Sequence, residues 1–230
     1  MTISVIIPTL NEEQALGQTL AHLPPSQALE IIIVDGGSRD RTLEVAKAFC
    51  TNMPSAHIVG APTGRARQMN EGARVSRGDV LLFLHADTQI PHEAPRIIEL
   101  ALANPAVVGG RFDVRFDTHS GWGQLISTFM NWRSRTSGIA TGDQAIFVRR
   151  HIFERVGGFA DIPLMEDIDF SRRLKRVGPM AALRHTVTTS FRRWEQQGPL
   201  RTILLMWVLR FLYWAGVSPS RLSRWYKVVR

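Results

Sequence analysis

A chain of 230 residues with 44% hydrophobic content can bury one substantial core, and typical domain sizes favour one domain over two. Its single cysteine, Cys50, excludes an intrachain disulfide and a cysteine metal cluster and points to a reducing compartment. The net charge of +8 is unevenly placed: from Arg184 to Arg230 nine Arg or Lys stand against one acid, Glu195, so the residues before that stretch sum to zero.

The opening run Met1 to Pro8 carries no basic leader and is interrupted by Pro8 short of signal-peptide length, so translocation is not expected. Apolar runs at Ile3 to Ile7, Ile31 to Val34 and Val80 to Leu84 are each followed by turn residues and a helical pattern, which predicts βαβ units and a largely parallel sheet. After the first run, Asn11 is expected to cap a helix, with Gln14 at the capping-box position and Leu16, Leu20 and Leu23 as its buried stripe. A second helix should present Leu43, Ala46 and Cys50 on one face, and a third, opening near Gly64, should bury Ala66, Met69 and Ala73. From Arg111 to Phe116 the residues alternate as in a half-exposed strand, and Gln144 to Val148 reads as another short one. Trp122 and Trp132 are most simply core or acceptor-groove packing.

The stretch Thr202 to Val217 is very apolar, yet it is split by Arg210 and is shorter than the roughly 20 residues a spanning helix needs, so it is expected to lie in an interface. Beyond Pro219, Leu222, Trp225, Tyr226 and Val229 fall at i, i+3, i+4 and i+7, with Arg221, Arg224, Lys227 and Arg230 on the other sides, the pattern of an interfacial helix. Basic charge interleaved with Trp and Leu favours an anionic membrane surface, and no pattern of a nucleic-acid-binding module accompanies it.

Two carboxylates stand where parallel α/β sheets place ligands, just past strand ends: Asp35 and Asp87. The loop after the first strand, Pro8-Thr9-Leu10-Asn11-Glu12-Glu13, has no glycine-rich phosphate cradle, and no P-loop occurs elsewhere. A bound diphosphate therefore needs another counter-charge, and a divalent metal, Mn²⁺ or Mg²⁺, on Asp87 is the economical candidate. Arg65 and Arg67, at a helix start, can add charge and amide donors. Taken alone, Asp35-Gly36-Gly37-Ser38 is an Asx turn, and Gly142-Asp143-Gln144 is either an ordinary turn or a contact for a sugar hydroxyl.

Five blocks in order, Val5 to Glu13, Ile33 to Asp40, Arg67-Gln68-Met69-Asn70-Glu71-Gly72, Leu82-Phe83-Leu84-His85-Ala86-Asp87 and Met165-Glu166-Asp167-Ile168-Asp169-Phe170, resemble family 2 glycosyltransferases over about residues 1 to 190. The resemblance implies an α/β fold of the GT-A (Rossmann-like) kind, a mostly parallel sheet flanked by helices, with a basic, amphipathic helical tail over 191–230 added to it. Residues 1–110 would form the nucleotide-sugar half and 111–190 the acceptor half. It further implies that Pro8, Thr9, Glu12, Asp35, Asn70, His85 and Ala86 line the donor pocket and that Asp87 ends the family's metal-binding Asp-x-Asp motif. Asp167 would be the catalytic base, supported by Glu166. His85 stands where the first Asp of that motif usually does, and His185 is the candidate for a second metal ligand. Phe191-Arg192-Arg193-Trp194 resembles the Arg-Trp element of processive relatives. The expected activity is inverting transfer from a nucleoside-diphosphate sugar to a lipid-linked or membrane-proximal acceptor, by a cytoplasmic enzyme peripheral to the inner membrane face. A sugar nucleotidyltransferase and a catalytically silent binding module are the alternatives.

Overall fold

The computed structural model describes residues 1–26 and 28–226. Eight strands form one sheet: β1 (Ile3–Thr9), β2 (Leu29–Asp35), β3 (Ala56–Gly60), β4 (Val80–Phe83), β5 (Thr88–Gln89), β6 (Gly109–Phe116), β7 (Ile146–Arg149) and β8 (Met180–Thr189), in the order β3-β2-β1-β4-β7-β6-β8-β5. The β3-β2-β1-β4 half is parallel throughout, as the repeated strand-turn-helix pattern predicts. The other half is mixed, with β7 antiparallel to both β4 and β6, β8 parallel to β6, and β5 antiparallel to β8.

The parallel strands are apolar at nearly every position because helices cover both faces, and their period of two divides them between two cores. Val5, Ile7, Ile31 and Ile33 face the core that includes Leu16 and Leu20 of α1 (Glu13–Ala21), Ala46 of α2 (Thr42–Asn52) and Ile98 of α4 (Ala94–Ala101). Ile6, Ile32 and Val34 face the other, built on Ala66, Met69 and Ala73 of α3 (Arg65–Val75), Ile152 of α6 (Arg150–Arg155) and Phe170 of α7 (Glu166–Val177). Gly72 lets α3 lie flat on the sheet, since a Cβ there would come within 2.9 Å of Val34 Cγ2 and closer still to Ile6.

Three expectations change. Asn11 does not cap α1: at φ +55° it turns toward the next loop, where its Oδ1 accepts from Arg39 N at 2.8 Å. The amides of Glu12 and Glu13 are met instead by Thr42 Oγ1 and Asp40 Oδ2, so the α1 start is satisfied from the second βα loop. The β6 strand is not half-exposed at its start, because Arg111 is 3% exposed and pairs with Asp113, which also accepts from Arg135 of α5 (Gly121–Ser137) at 2.5 Å.

The third change concerns the tail. It folds as α8 (Arg192–Gln197), α9 (Pro199–Trp214) and the four-residue α10 (Pro219–Leu222). Leu222 is fully buried and, with Leu209 of α9, packs on Leu164, Met165 and Ile168, while Phe191 and Trp194 pack on Phe116. Of the expected stripe, Leu222 and Tyr226 turn toward the protein's own core while Trp225 stays 60% exposed, and the helix there is only four residues long. Lys227, Val229 and Arg230 lie outside the described residues. No helix among the described residues is long and apolar enough to cross a membrane.

Candidate active site

The site lies at the C-terminal ends of β1, β2 and β4, where the strand order changes direction. Asp35 ends β2 and closes its own turn: Oδ2 accepts from Gly37 N at 2.9 Å and Ser38 N at 3.0 Å, and Oδ1 from Ser38 Oγ. Thr9 is tied into the same loop, its carbonyl accepting from Gln68 Nε2 at 2.7 Å, and Pro8 precedes it at the end of β1. Gln68 also donates to Val34 O at 2.8 Å, so this buried amide clamps α3 to the first two strands.

On the other side of the crevice, Arg192 at the start of α8 donates to Glu12 Oε2 at 2.6 Å and lies 3.6 Å from Asp87 Oδ2. Burial raises the Glu12 carboxyl and the Arg192 contact pulls it back, with a net upward shift. A polar cavity of about 170 Å³, lined by Gln14, Gln18, Asp117 and Thr188 among others, opens beside the same Asp87 and Arg192.

Asp87 is linked to Asp167 through His85. The His85 ring places Nδ1 3.2 Å from Asp143 Oδ1, and burial opposes its charge while that carboxylate restores it, leaving its pKa raised. Asp143 belongs to a 3-10 turn (Gly142–Gln144) set by a capping box from Thr141. The Gly142 amide donates to Asp167 Oδ2 at 3.0 Å, and the His85 ring lies so close to Gly142 that a Cβ there would overlap it. Asp167 Oδ1 accepts from Ile168 N at 2.7 Å.

Asp167 stands in the first turn of α7, beneath which Phe83, Phe159 and Phe170 pack edge to face and tilted, with Phe159 and Phe170 centroids 4.3 Å apart. Burial, then the neighbouring Glu166 charge, raises the Asp167 carboxyl to about 6. That value suits a group that must be ionised yet basic near neutrality. Arg65 spans both sides. Arg65 is exposed at the start of α3, and the nearby Tyr226, Glu166, Asp143 and Asp167 raise its pKa, while its charge in turn acts on Glu12.

Several of the expected residues do other work. Asn70 is consumed by Phe159, donating to its carbonyl at 2.8 Å and accepting from its amide at 2.9 Å, so it anchors a loop rather than a donor. Arg67 forms an exposed pair with Asp161 at 2.8 Å, turned away from Arg65 by the helical spacing. Ala86 is buried in the core and its carbonyl accepts from Thr19. His185 lies on an exposed position of β8, four residues before Thr189, so about 13 Å of strand separates it from the β5–β8 pair beside Asp87.

Among the described residues no three His, Cys, Asp or Glu gather as a metal cage. Asp87 nonetheless fits a metal completed by substrate oxygens, since Mg²⁺ commonly takes one or two carboxylates plus phosphates and water. Sequence reasoning missed Gln68, Arg133, Arg193 and Tyr226 as parts of this neighbourhood. Gln68 carried a signal in its place within the Arg67 to Gly72 block, and Arg193 in its place in the Arg-Trp element.

Residues 4–157 match the profile of glycosyl transferase family 2. The chain belongs to that family. It is 35% identical over 159 residues, 65% of its own length and 46% of the relative's, to an undecaprenyl-phosphate 4-deoxy-4-formamido-L-arabinose transferase of Pseudomonas aeruginosa (strain LESB58). It is 31% identical over 202 residues, 76% of its length, to the probable glycosyltransferase YdaM of Bacillus subtilis (strain 168), and covers 47% of that protein. The chain thus spans about half the length of the curated relatives it matches. Among solved structures it is similar to S. aureus TarS residues 1–349 (TM-score 0.66, 17% identity, 83% of this chain and 60% of that one). It is similar also to the mannosyltransferase PcManGT of Pyrobaculum calidifontis in complex with GDP-Man and Mn²⁺ (TM-score 0.63, 20% identity, 81% and 56%). These likenesses establish the GT-A fold.

Proposed function

We propose that this family 2 glycosyltransferase takes a sugar from a nucleoside-diphosphate donor and passes it, with inversion, to a lipid-phosphate acceptor presented at an anionic membrane face. The observation that carries the reading is Asp167, a carboxyl raised to about 6 at a helix start, joined through Gly142, Asp143 and His85 to the Asp87 side of the crevice. Asp167 takes the acceptor proton, while Arg65 and Arg192 supply fixed positive charge toward the departing diphosphate. A divalent metal bound by Asp87 would add to that charge stabilisation. The relatives support the substrate classes: undecaprenyl phosphate for the Pseudomonas transferase, GDP-Man with Mn²⁺ for the Pyrobaculum complex, and UDP-GlcNAc for the TarS complex.

The membrane part rests on α5 and α9. Trp122, Leu125, Phe129 and Trp132 on α5, and Leu200, Leu204, Trp207, Phe211 and Trp214 on α9, are all exposed and repeat every three or four residues. Phe129 and Trp207 stack at 5.7 Å and join the two stripes into one. Neither helix contains an acid, and Arg201 in the first turn of α9 is exposed beside the stripe, whereas Arg135 is spent on Asp113. Exposed Trp beside Arg, with no acid, suits the headgroup layer of an anionic bilayer. A second copy packed through such stripes would ordinarily bring pairing acids at the flanks.

Calorimetry with UDP, GDP and their sugars, each with Mn²⁺ or Mg²⁺ and with chelator, tests the donor reading. Binding of at least one diphosphate, weakened in Asp87→Ala, is expected. Failure of every nucleotide to bind would leave the silent-module alternative.

A further inference from the structure

We infer that Arg133 of α5 and Arg193 of α8 form the binding site for the acceptor's phosphate group. This assignment rests on the transferase reading above and names the residues that recognise its acceptor. Both guanidinium groups are turned inward, and their Nε and Nη2 atoms are buried with no hydrogen-bond partner among the described residues. Arg193 uses only Nη1, which donates to the Tyr226 hydroxyl, and its guanidinium stacks over the Tyr226 ring at 4.1 Å. Two arginines each leaving a charged donor pair unmet in a protein interior call for an acceptor of several oxygens, and a phosphate supplies three.

Met130 of α5 and Trp194 of α8 pack in one cluster with Phe116 and Phe191, which brings the two helices together. Arg133 lies in the field of Asp167 and Asp143, and Arg193 in that of Asp143, so both stand on the side of the base, whereas Glu12 and Asp87 are already served by Arg192. Arg133 also stands one helical turn after Phe129, whose exposed ring stacks on Trp207 in the apolar stripe. A phosphate held by Arg133 therefore leaves its carbon chain at the surface that carries the aromatic rings, which favours a lipid phosphate over a free one. The phosphate oxygen beside Asp167 attacks the anomeric carbon as that carbon's bond to the diphosphate oxygen breaks. The bonding pair departs on the nucleoside diphosphate, and Asp167 takes the proton of an acceptor that arrives as the monoanion.

The probes are farnesyl phosphate, farnesol, inorganic phosphate and UDP, each titrated into the full chain and into Arg133→Gln, Arg193→Gln and Arg133→Lys. Farnesyl phosphate affinity should fall roughly tenfold or more in each Gln variant, as expected for a lost charge-assisted bond, and be partly kept in Arg133→Lys. UDP affinity should be unchanged, farnesol should bind weakly to all, and inorganic phosphate should bind more weakly than farnesyl phosphate. Equal farnesyl phosphate affinity across folded variants overturns the assignment, and so does a loss confined to UDP, which would give the arginines to the donor. If a Gln variant does not fold, wild-type thermal stability decides: a rise with farnesyl phosphate but not farnesol supports the site, and no rise opposes it. Wild-type transfer to a neutral hydroxyl acceptor without farnesyl phosphate binding would sink this inference and leave the transferase reading standing. Absence of UDP and GDP binding would sink that reading instead.

Discussion

Arg192 occupies the place between Glu12 and Asp87 that a donor's cation would share, so its removal exposes two carboxylates to each other. We predict that Arg192→Ala weakens nucleoside diphosphate binding roughly tenfold in chelator and by less in saturating Mg²⁺, because the metal can answer the same charges. A calorimetric comparison in the two buffers checks it, and equal loss in both would separate Arg192 from the metal. Gly142 is the second residue on which the site turns. Gly142→Ala should shift the His85 ring, loosen the Asp167 contact and lower kcat at least tenfold, while donor affinity at the Glu12 side stays near normal. A unchanged kcat would mean that the Gly142 link is dispensable. At this scale the sequence could point to Asp35 and Asp87 because carboxylates just past the ends of parallel strands face the crevice of such a sheet. It could not tell that Asn70 and Arg67 are spent on Phe159 and Asp161, since those partners lie about ninety residues away and no local spacing encodes them.

The elements follow from period and punctuation where packing is repetitive. Strands β1, β2 and β4 and helices α1 to α3 were legible because those strands are buried on both faces and each helix shows one apolar stripe, whereas the edge strand β3, exposed at His57 and Gly60, carried no such signal. The second half was less so: β6 hides Arg111 behind Asp113 and Arg135, an ion pair that mimics the alternation of a half-exposed strand. Gly72 offers a test of the readable half. Gly72→Ala should cost about 1–3 kcal/mol, as overpacking against Ile6 and Val34 does, and lower the denaturation midpoint without changing the slope with denaturant. A variant as stable as the parent would show that α3 can lift off the sheet freely.

On the scale of the whole molecule, the tail packs on the start of α7 and the end of β6, with Leu222 inside and the rings of α5 and α9 outside. The stripe after Pro219 divides, with Leu222 on Leu164 and Ile168 and Trp225 exposed, because an apolar stripe looks alike whether its partner is a bilayer or the chain's own core. The exposed rings of α9, within the stretch expected to lie in an interface, are joined by those of α5. Trp207→Glu with Trp214→Glu should reduce flotation with phosphatidylglycerol vesicles at least tenfold, and high salt should weaken the parent's binding. A dimer dissociated by the same substitutions, with no vesicle binding by the parent, would give the face to a second copy.

The central claim is that Asp167 accepts the proton during transfer from a nucleotide-sugar. Its folded-state pKa lies above its ordinary value, so folding favours the protonated form and catalysis needs the ionised one; transfer should fall as pH drops through about 6. The direct measurement is the pH profile of kcat/KM for sugar transfer by the parent and by Asp167→Asn. The account predicts an acidic limb near 6 in the parent, and a loss of roughly 10² to 10⁴-fold with no such limb in the variant. Near-parental turnover in Asp167→Asn, with the limb intact, would contradict it.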